Sequence, residues 1–412
     1  MHIFTNDDIK NALTMKACID ALDEGYRQYA AGEAVMVPRN DLETICEGDY
    51  SKGLPEPVGN DPRQQTSSGF RHAMKGLPGP YFFLLKTMTA AVKKGGPIEF
   101  GCAALRLDAD ILSDTDTING SLRRQRIPAA PGNRFCGLVM LWKTENCEPI
   151  CIMPDSHIEA MRVGATNALA ARYLARPDSR VYGLIGTGLQ ARAQLEAMLE
   201  VLPIKTVRVW SPTKENREHF AIEQGRLYDV DILPVSSMEE AVRGADVIGS
   251  ATNAMHAILN GDLPVEKGAF VTSINPVELS RPLADRCDIV VLHANRMTWP
   301  KDPKQCVFTP DDARQFVSFW LTREAKEKDK VPHSLQAAWM NDPDVAASLP
   351  WLGDVISGKV KRQNADQITC FINNIGFGLQ FAAVGAVAYQ AATRQRLGQS
   401  IPTELFTQDM HG

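Results

Sequence analysis

The chain has 412 residues, 44% of them hydrophobic and 23% charged, with a formal net charge of −5. That balance excludes a disordered or membrane-embedded chain, and the length points to two domains. No basic run interleaved with aromatics occurs, which argues against a nucleic-acid partner.

The first residues, MHIFTNDDIKNAL, lack the basic stretch and apolar core of a secretory leader, so the expected location is the cytoplasm. Residues 6 to 32 set Ile9, Leu13, Ile19, Leu22, Tyr26 and Tyr29 close to one helical stripe, with Asn6 and Asp7 as candidate caps. Residues 44 to 80 and 113 to 133 are rich in Gly, Pro, Ser and other polar residues and read as irregular insertions. The runs YFFLLKTMTAAV, FGCAALRLDA and FCGLVMLWKT predict a mostly antiparallel sheet. Nine cysteines without a CxxC pair argue against a disulfide framework or a zinc site, and no metal is expected. Cys147 and Cys151, if extended, share one face of a strand and read as small buried apolar residues.

From residue 157 the pattern changes to alternating helices and strands, which predicts a parallel, doubly wound sheet. Residues 299 to 350 are less regular, with a helical candidate around DDARQFVSFWLTREAKEK. The apolar run FAAVGAVAYQAA at 381 to 392 is too short to span a bilayer and predicts a buried helix.

Within the alternating half, VYGLIGTGLQARAQLEAML joins a strand to a helix through Gly186, Thr187 and Gly188. Gly186 suits the tight turn, Gly188 lets the backbone approach a pyrophosphate, and Ala191 allows close helix packing. Free N–H groups at the helix start, around Leu189 and Gln190, suit phosphate oxygens. The next strand, TVRVW, ends without the acidic residue that holds a ribose 2′-hydroxyl; Ser211, Thr213, Lys214 and Arg217 follow instead. Hydroxyls and cations fit a 2′-phosphate, so NADP(H) is expected in preference to NAD(H), with NAD(H) still possible. Thr252 and Asn275, after later strands, complete the expected cofactor contacts.

Taken together, MPDSHIEAMRVGATNALAARYLAR, IGTGLQAR, WSPTKENREHFA, GDVISGKV and FINNIGFGLQFAAVGAVAY resemble the ornithine cyclodeaminase and mu-crystallin family. The chain is most similar to a long branch sometimes labelled a tyramine oxidase subunit, a label these residues give no chemical ground for. The resemblance implies a Rossmann doubly wound parallel sheet, residues 161–349, inserted into an α+β substrate and dimerisation domain built from residues 1–160 and 350–412. It also implies a homodimer. Arg39 in VPRND and Arg162 in EAMRVGA match the family arginines that hold a substrate carboxylate. A lysine that the family often carries aligns with Arg106, which stays charged and so is expected to bind rather than shuttle protons. After the fifth strand of the parallel sheet, SINPVELSRPL lacks the family's acid/base aspartate; Asn275 there cannot act as a general base, which demotes ornithine cyclisation.

The expected activity is an NADP(H)-dependent oxidoreductase acting on a C=N or amino-acid C–N bond: an imino acid (ketimine) reductase or amino-acid dehydrogenase. Arg106 and Asn275 are its candidate catalytic residues, Arg39, Arg106 and Arg162 its substrate anchors, and His157 or Asp155 a candidate proton relay. The alternatives are a cyclodeaminase-type lyase with bound NAD and a catalytically silent NADPH-binding protein.

Overall fold

A computed structural model describes residues 1–37, 39–51, 81–117, 121–254, 256–293, 318–321 and 348–409, with Trp339 and Val345. The chain begins with a short strand, β1 (His2–Ile3), then α1 (Asn6–Ala12) and α2 (Met15–Ala30). The single helix expected over residues 6 to 32 is therefore two. Thr5, not Asn6 or Asp7, caps the first, with its side chain and that of Asp8 bonding each other's backbone N–H. Leu13 leaves helical geometry, and Thr14 caps the second by accepting from the Ala17 N–H.

Next come β2 (Val35–Met36), β3 (Asn40–Ile45), β4 (Tyr81–Val92), β5 (Cys102–Thr117), β6 (Ser121–Ile127), β7 (Cys136–Lys143) and β8 (Pro149–Pro154). With β15 (Ser318–Leu321) and β17 (Gln399–Ser400) they build a ten-stranded sheet of order β15-β3-β4-β5-β7-β8-β1-β17, with β2 on β4 and β6 on β5. The pairings from β3 through β8 are antiparallel, as the alternating runs predict. Part of the expected 113 to 133 insertion is regular: Asp114–Thr117 and Ser121–Ile127 pair as antiparallel strands. Polar composition hid them, although an Asn-Gly dipeptide lies between them in the sequence. Cys147 and Cys151 do not share a strand face: Cys147 has φ of +60° in an exposed turn, and Cys151 is buried in β8.

The long helix α3 (Ser156–Leu174) is buried nearly all round and leads to the second sheet. That sheet runs through β9 (Val181–Ile185), α4 (Leu189–Val201), β10 (Thr206–Trp210), α5 (Lys214–Gly225), β11 (Asp231–Pro234), α6 (Met238–Val242) and β12 (Val247–Ser250). It continues through β13 (Phe270–Ser273), α7 (Arg281–Ala284) and β14 (Ile289–Leu292). After α8 (Leu352–Ile356), β16 (Thr369–Ile372) enters between β13 and β14. All seven strands are parallel, in the order β11-β10-β9-β12-β13-β16-β14. The reversal of direction at β9 makes the sheet doubly wound. The expected boundary at residue 350 places Thr369–Ile372 with the chain ends, whereas its four buried residues belong to the parallel sheet.

The run at 381 to 392 is buried within α9 (Gly378–Arg394), which packs on β4 and β5 and against α2. No described helix is long and apolar enough to cross a membrane. The helical candidate near 311 to 328 is described only at Ser318–Leu321, which is a strand; the rest of it, and the insertion at 52 to 80, lie outside the described residues.

Candidate functional site

The glycine turn follows β9 at the carboxyl edge of the parallel sheet. Gly186 has φ of +115°, and a Cβ there would stand 2.3 Å from the Ala251 carbonyl oxygen, so only glycine fits. Gly188 is different: its backbone is extended and nothing lies within 4 Å of where a Cβ would be. It opens α4 without a side-chain cap, so the first N–H groups of that helix face open space with the positive end of its dipole. Leu189 is exposed, and the buried Gln190 Oε1 has no partner among the described residues. Arg192 fixes the turn from below, donating to the Thr187 carbonyl at 3.1 Å and pairing with Glu223 at 2.6 Å. A cradle of free N–H groups with room for a phosphate fits a dinucleotide.

At the end of β10 the structure gathers Ser211, Thr213, Lys214 and Arg217. Ser211 Oγ donates to the Thr213 carbonyl at 3.1 Å, and Arg217 Nη1 donates to the Ser211 carbonyl at 2.9 Å. Arg217 thus shapes the loop, while Lys214 is exposed and, among the described residues, makes only a loose contact to Glu218 at 3.6 Å. After β12, Thr252 donates to Glu278 through both its backbone N–H, at 3.0 Å, and its hydroxyl. The Asn275 side chain donates to the Ala254 carbonyl at 3.0 Å and accepts from the Val277 N–H at 3.3 Å. Its amide staples two loops, which revises the expectation that Asn275 works on a substrate.

Glu278 is a residue that the sequence reading missed. It is fully buried, and burial pushes its carboxyl up to about 7 against the opposing hydrogen bonds from Thr252. It lies three residues beyond Asn275, in the segment searched only for an aspartate.

The second group of residues lies where α3 and α9 meet the ten-stranded sheet. Alternation along β4 and β5 turns Lys86, Arg106, Asp108 and Asp110 onto the buried face, with Lys86 directly opposite Asp108. Lys86 Nζ donates to Asp108 at 2.9 Å and to Asp110 at 2.5 Å. Arg106, 1% exposed, lies 2.9 Å from Asp108, 2.7 Å from Asp155 and 3.2 Å from Glu159. Arg126 of β6 reaches Asp110 at 3.1 Å. The structure therefore withholds Arg106 from a substrate, because three carboxylates already surround a guanidinium with almost no exposure. The cluster also holds a lysine that the sequence reading missed, Lys86, one strand away from Arg106. A single charge on the buried alternation of FFLLKTMTAAV is the signal that could have found it.

Arg162 projects from α3 into the same region. Its Nη1 donates to Gln380 Oε1 at 2.9 Å, and Gln380 in turn donates to Thr166 at 2.7 Å. The guanidinium lies 5.3 Å from the centre of the Phe381 ring, and Arg106 lies 5.0 Å from the same ring. Among the described residues the nearest carboxylate, Glu159, is 3.7 Å away, outside hydrogen-bond range. Burial lowers the Arg162 guanidinium to about 10; Glu159 opposes this, while the charges of Arg106 and Arg39 add to it. The structure thus brings Arg39, which is half-buried, into the electrostatic range of Arg162.

Glu159 behaves oppositely. Burial disfavours its charge, but Arg106, Arg126, Arg162 and Lys86 outweigh burial and hold it well below the usual carboxylate range. Burial raises Asp155 to about 6, against the pull of Arg106. One relay candidate is revised: Asp155 is locked to Arg106 Nε at 2.8 Å, whereas His157 donates its backbone N–H to Asn6 at 3.2 Å and keeps a buried ring Nε2 without a partner among the described residues.

Arg162 adjoins the parallel sheet. The guanidinium rests against Gly376, four residues past the end of β16, where a Cβ would stand 2.7 Å from Nη1. The glycine turn after β9, Thr252 after β12, Asn275 after β13 and Gly376 after β16 all follow carboxyl ends of neighbouring strands, where doubly wound sheets bind ligands.

A model of the ornithine cyclodeaminase/mu-crystallin family matches residues 129–395. The chain is 25% identical to an alanine dehydrogenase of Archaeoglobus fulgidus over 97% of both chains. It is 32% identical to the ketimine reductase mu-crystallin of Mus musculus over 61% of this chain and 68% of that one. Among solved structures it resembles the Thermococcus litoralis Δ1-pyrroline-2-carboxylate reductase in complex with NADH and L-proline, with a TM-score of 0.64 and 20% identity over 97% of this chain and all of that one. The matched residues take in the glycine turn, Arg162 and Gly376, whereas Lys86, Arg106 and Asp108 precede them.

Proposed function

Because the chain belongs to the ornithine cyclodeaminase/mu-crystallin family, we propose that it is an NAD(P)(H)-dependent oxidoreductase acting on the carbon–nitrogen bond of an imino or amino acid. The observation that carries this reading is the meeting of two features at one sheet edge: an open glycine turn and a buried guanidinium without a close carboxylate among the described residues. The relatives named as an alanine dehydrogenase and a ketimine reductase support the reaction class.

In this reading Gly186, Thr187, Gly188 and the first N–H groups of α4 hold the pyrophosphate, and Thr252 and Asn275 set the loops beside the nicotinamide. A bound nicotinamide cofactor gives or takes the hydride. Arg162 binds the substrate carboxylate through the edge that Gln380 and Gly376 leave open, with Arg39 adding positive potential. Phe381 fixes the plane of the guanidinium from behind, so the carboxylate is met in one orientation. Lys86, Arg106 and their aspartates form the floor, and their mutual neutralisation keeps it from competing for the substrate.

NADP(H) is preferred in this reading, supported by Lys214 and by the lack of a carboxylate between Trp210 and Thr213. A homodimer, named in the sequence reading, belongs to the same proposal, and sedimentation as a monomer counts against it. The test of the activity is a panel of cyclic imine 2-carboxylates and of 2-oxo acids mixed with amines, followed by NADPH absorbance. NADPH that is bound but never consumed overturns the reading in favour of a silent nucleotide-binding protein.

A further inference from the structure

We propose that Glu159 is the acceptor for the substrate's protonated nitrogen, paired with Arg162 one helical turn away as the acceptor and donor halves of one amino-acid clamp. The inference rests on the function proposed above and adds a residue to that site.

Geometry selects Glu159 from the cluster's carboxylates. The side chains of Asp108, Asp110 and Asp155 are 5%, 0% and 4% exposed and are taken up by Lys86 and Arg106, whereas that of Glu159 is 21% exposed. Its Oε2 faces Arg106 at 3.2 Å, but its Oε1 stands 3.7 Å from Arg162, too far for a hydrogen bond. One accessible oxygen therefore retains an open lone pair beside the guanidinium that binds the carboxylate. Residues three apart on a helix share a face, so the two groups point into the same volume. An α-imino or α-amino acid carries its carboxylate and its nitrogen on one carbon, at a spacing that such a pair can bridge.

The chemistry follows from charge. The surrounding arginines keep Glu159 ionised, so it accepts hydrogen bonds and does not supply a proton. An ionised acceptor selects the protonated form of the substrate nitrogen. For an imine this is the iminium, whose carbon is the better electrophile. This offers an answer to the missing aspartate after β13: the substrate keeps the proton it arrives with, and no protein acid is needed at that step.

The test compares two carboxylates of the same shape, pyrrolidine-2-carboxylate with its secondary ammonium and cyclopentanecarboxylate without nitrogen. Binding to the NADPH-loaded protein is read by calorimetry, with no turnover required. In the native chain the ammonium ligand binds more tightly. In Glu159→Gln that preference falls about 10-fold or more, the worth of a charge-assisted hydrogen bond, and Glu159→Asp restores part of it. The ratio is taken within each variant, so a general loosening of the fold cancels. If Glu159 only neutralises its arginines, both ligands shift by the same factor and the ratio stays fixed, which overturns this inference alone. Failure of the native protein to bind either carboxylate overturns the proposed function and this inference with it.

Discussion

Gly376→Ala isolates the position of Arg162 from its charge. The added Cβ would stand 2.7 Å from Nη1, 2.9 Å from Nη2 and 3.1 Å from Cζ of Arg162. Carbon and nitrogen settle at about 3.5 Å or more, so the guanidinium must retreat by about 0.8 Å. It has little room, with Phe381 at 5.3 Å behind it and the Gln380 hydrogen bond at 2.9 Å on its edge. Losing alignment with one charged partner costs about 1.5–3 kcal/mol, which is about a 10- to 100-fold rise in KM for a carboxylate substrate. The fold itself is spared, because φ at Gly376 is not in the left-handed region and alanine restricts the unfolded chain by about 0.4–1 kcal/mol in its favour. The assay is steady-state NADPH consumption against imine concentration, with thermal melting and cofactor binding measured on the same protein. A KM unchanged from the native enzyme refutes the placement of the carboxylate against this guanidinium, and a lost melting transition refutes the claim that the cost is local.

The two glycines of the turn are expected to separate under substitution. Gly188→Ala meets nothing in the protein, so melting is unchanged while NADPH and NADH both bind more weakly; Gly186→Ala strains a φ of +115° against the Ala251 carbonyl and lowers stability as well. Equal stability for both variants counts against the turn geometry. Lys214→Glu is expected to weaken NADPH more than NADH in fluorescence titration, and an equal loss shows that Lys214 does not read a 2′-phosphate. Glu278 has its carboxyl raised by burial from about 4.5 to about 7, so the folded state holds a proton that the unfolded state has released. Its favourable contribution is complete below the unfolded pKa and is lost as pH rises through that window. Glu278→Gln therefore gains stability relative to the native chain between about pH 5 and about pH 8, by roughly 1–3 kcal/mol, read by denaturant melts; a pH-independent difference contradicts the assignment.

How much of this was legible depends on the range of the forces involved. The glycine turn was readable because its determinants are contiguous: a buried strand, a residue forced to positive φ, and a helix start without a side-chain cap. The break between α1 and α2 was not, because Leu13 and Tyr29 keep a helical stripe in register across two separate helices, and only the Thr14 cap marks the join. Arg106, Asp108 and Asp110 do show period-two spacing, the sign of one sheet face. Which face is buried, however, is decided by α9, nearly 300 residues later in the sequence. Arg106 was therefore read as a substrate anchor when it is buried among three carboxylates, and Lys86 was passed over as one charge in an apolar strand.

The same long-range packing gives the site its electrical character. Lys86, Arg106, Arg126 and Arg162 are four cations held with four carboxylates, Asp108, Asp110, Asp155 and Glu159, among the described residues. In a low-dielectric setting a charge without a close counter-ion is costly. Lys86 and Arg106 have carboxylates within hydrogen-bond distance, whereas Arg162 has none closer than 3.7 Å among the described residues, and burial lowers its guanidinium. In the proposed reading, one bound substrate carboxylate gives Arg162 the close counter-ion that the described residues do not supply. In that reading Arg162 favours a ligand with a carboxylate, and Glu159 beside it favours one whose nitrogen carries a positive charge.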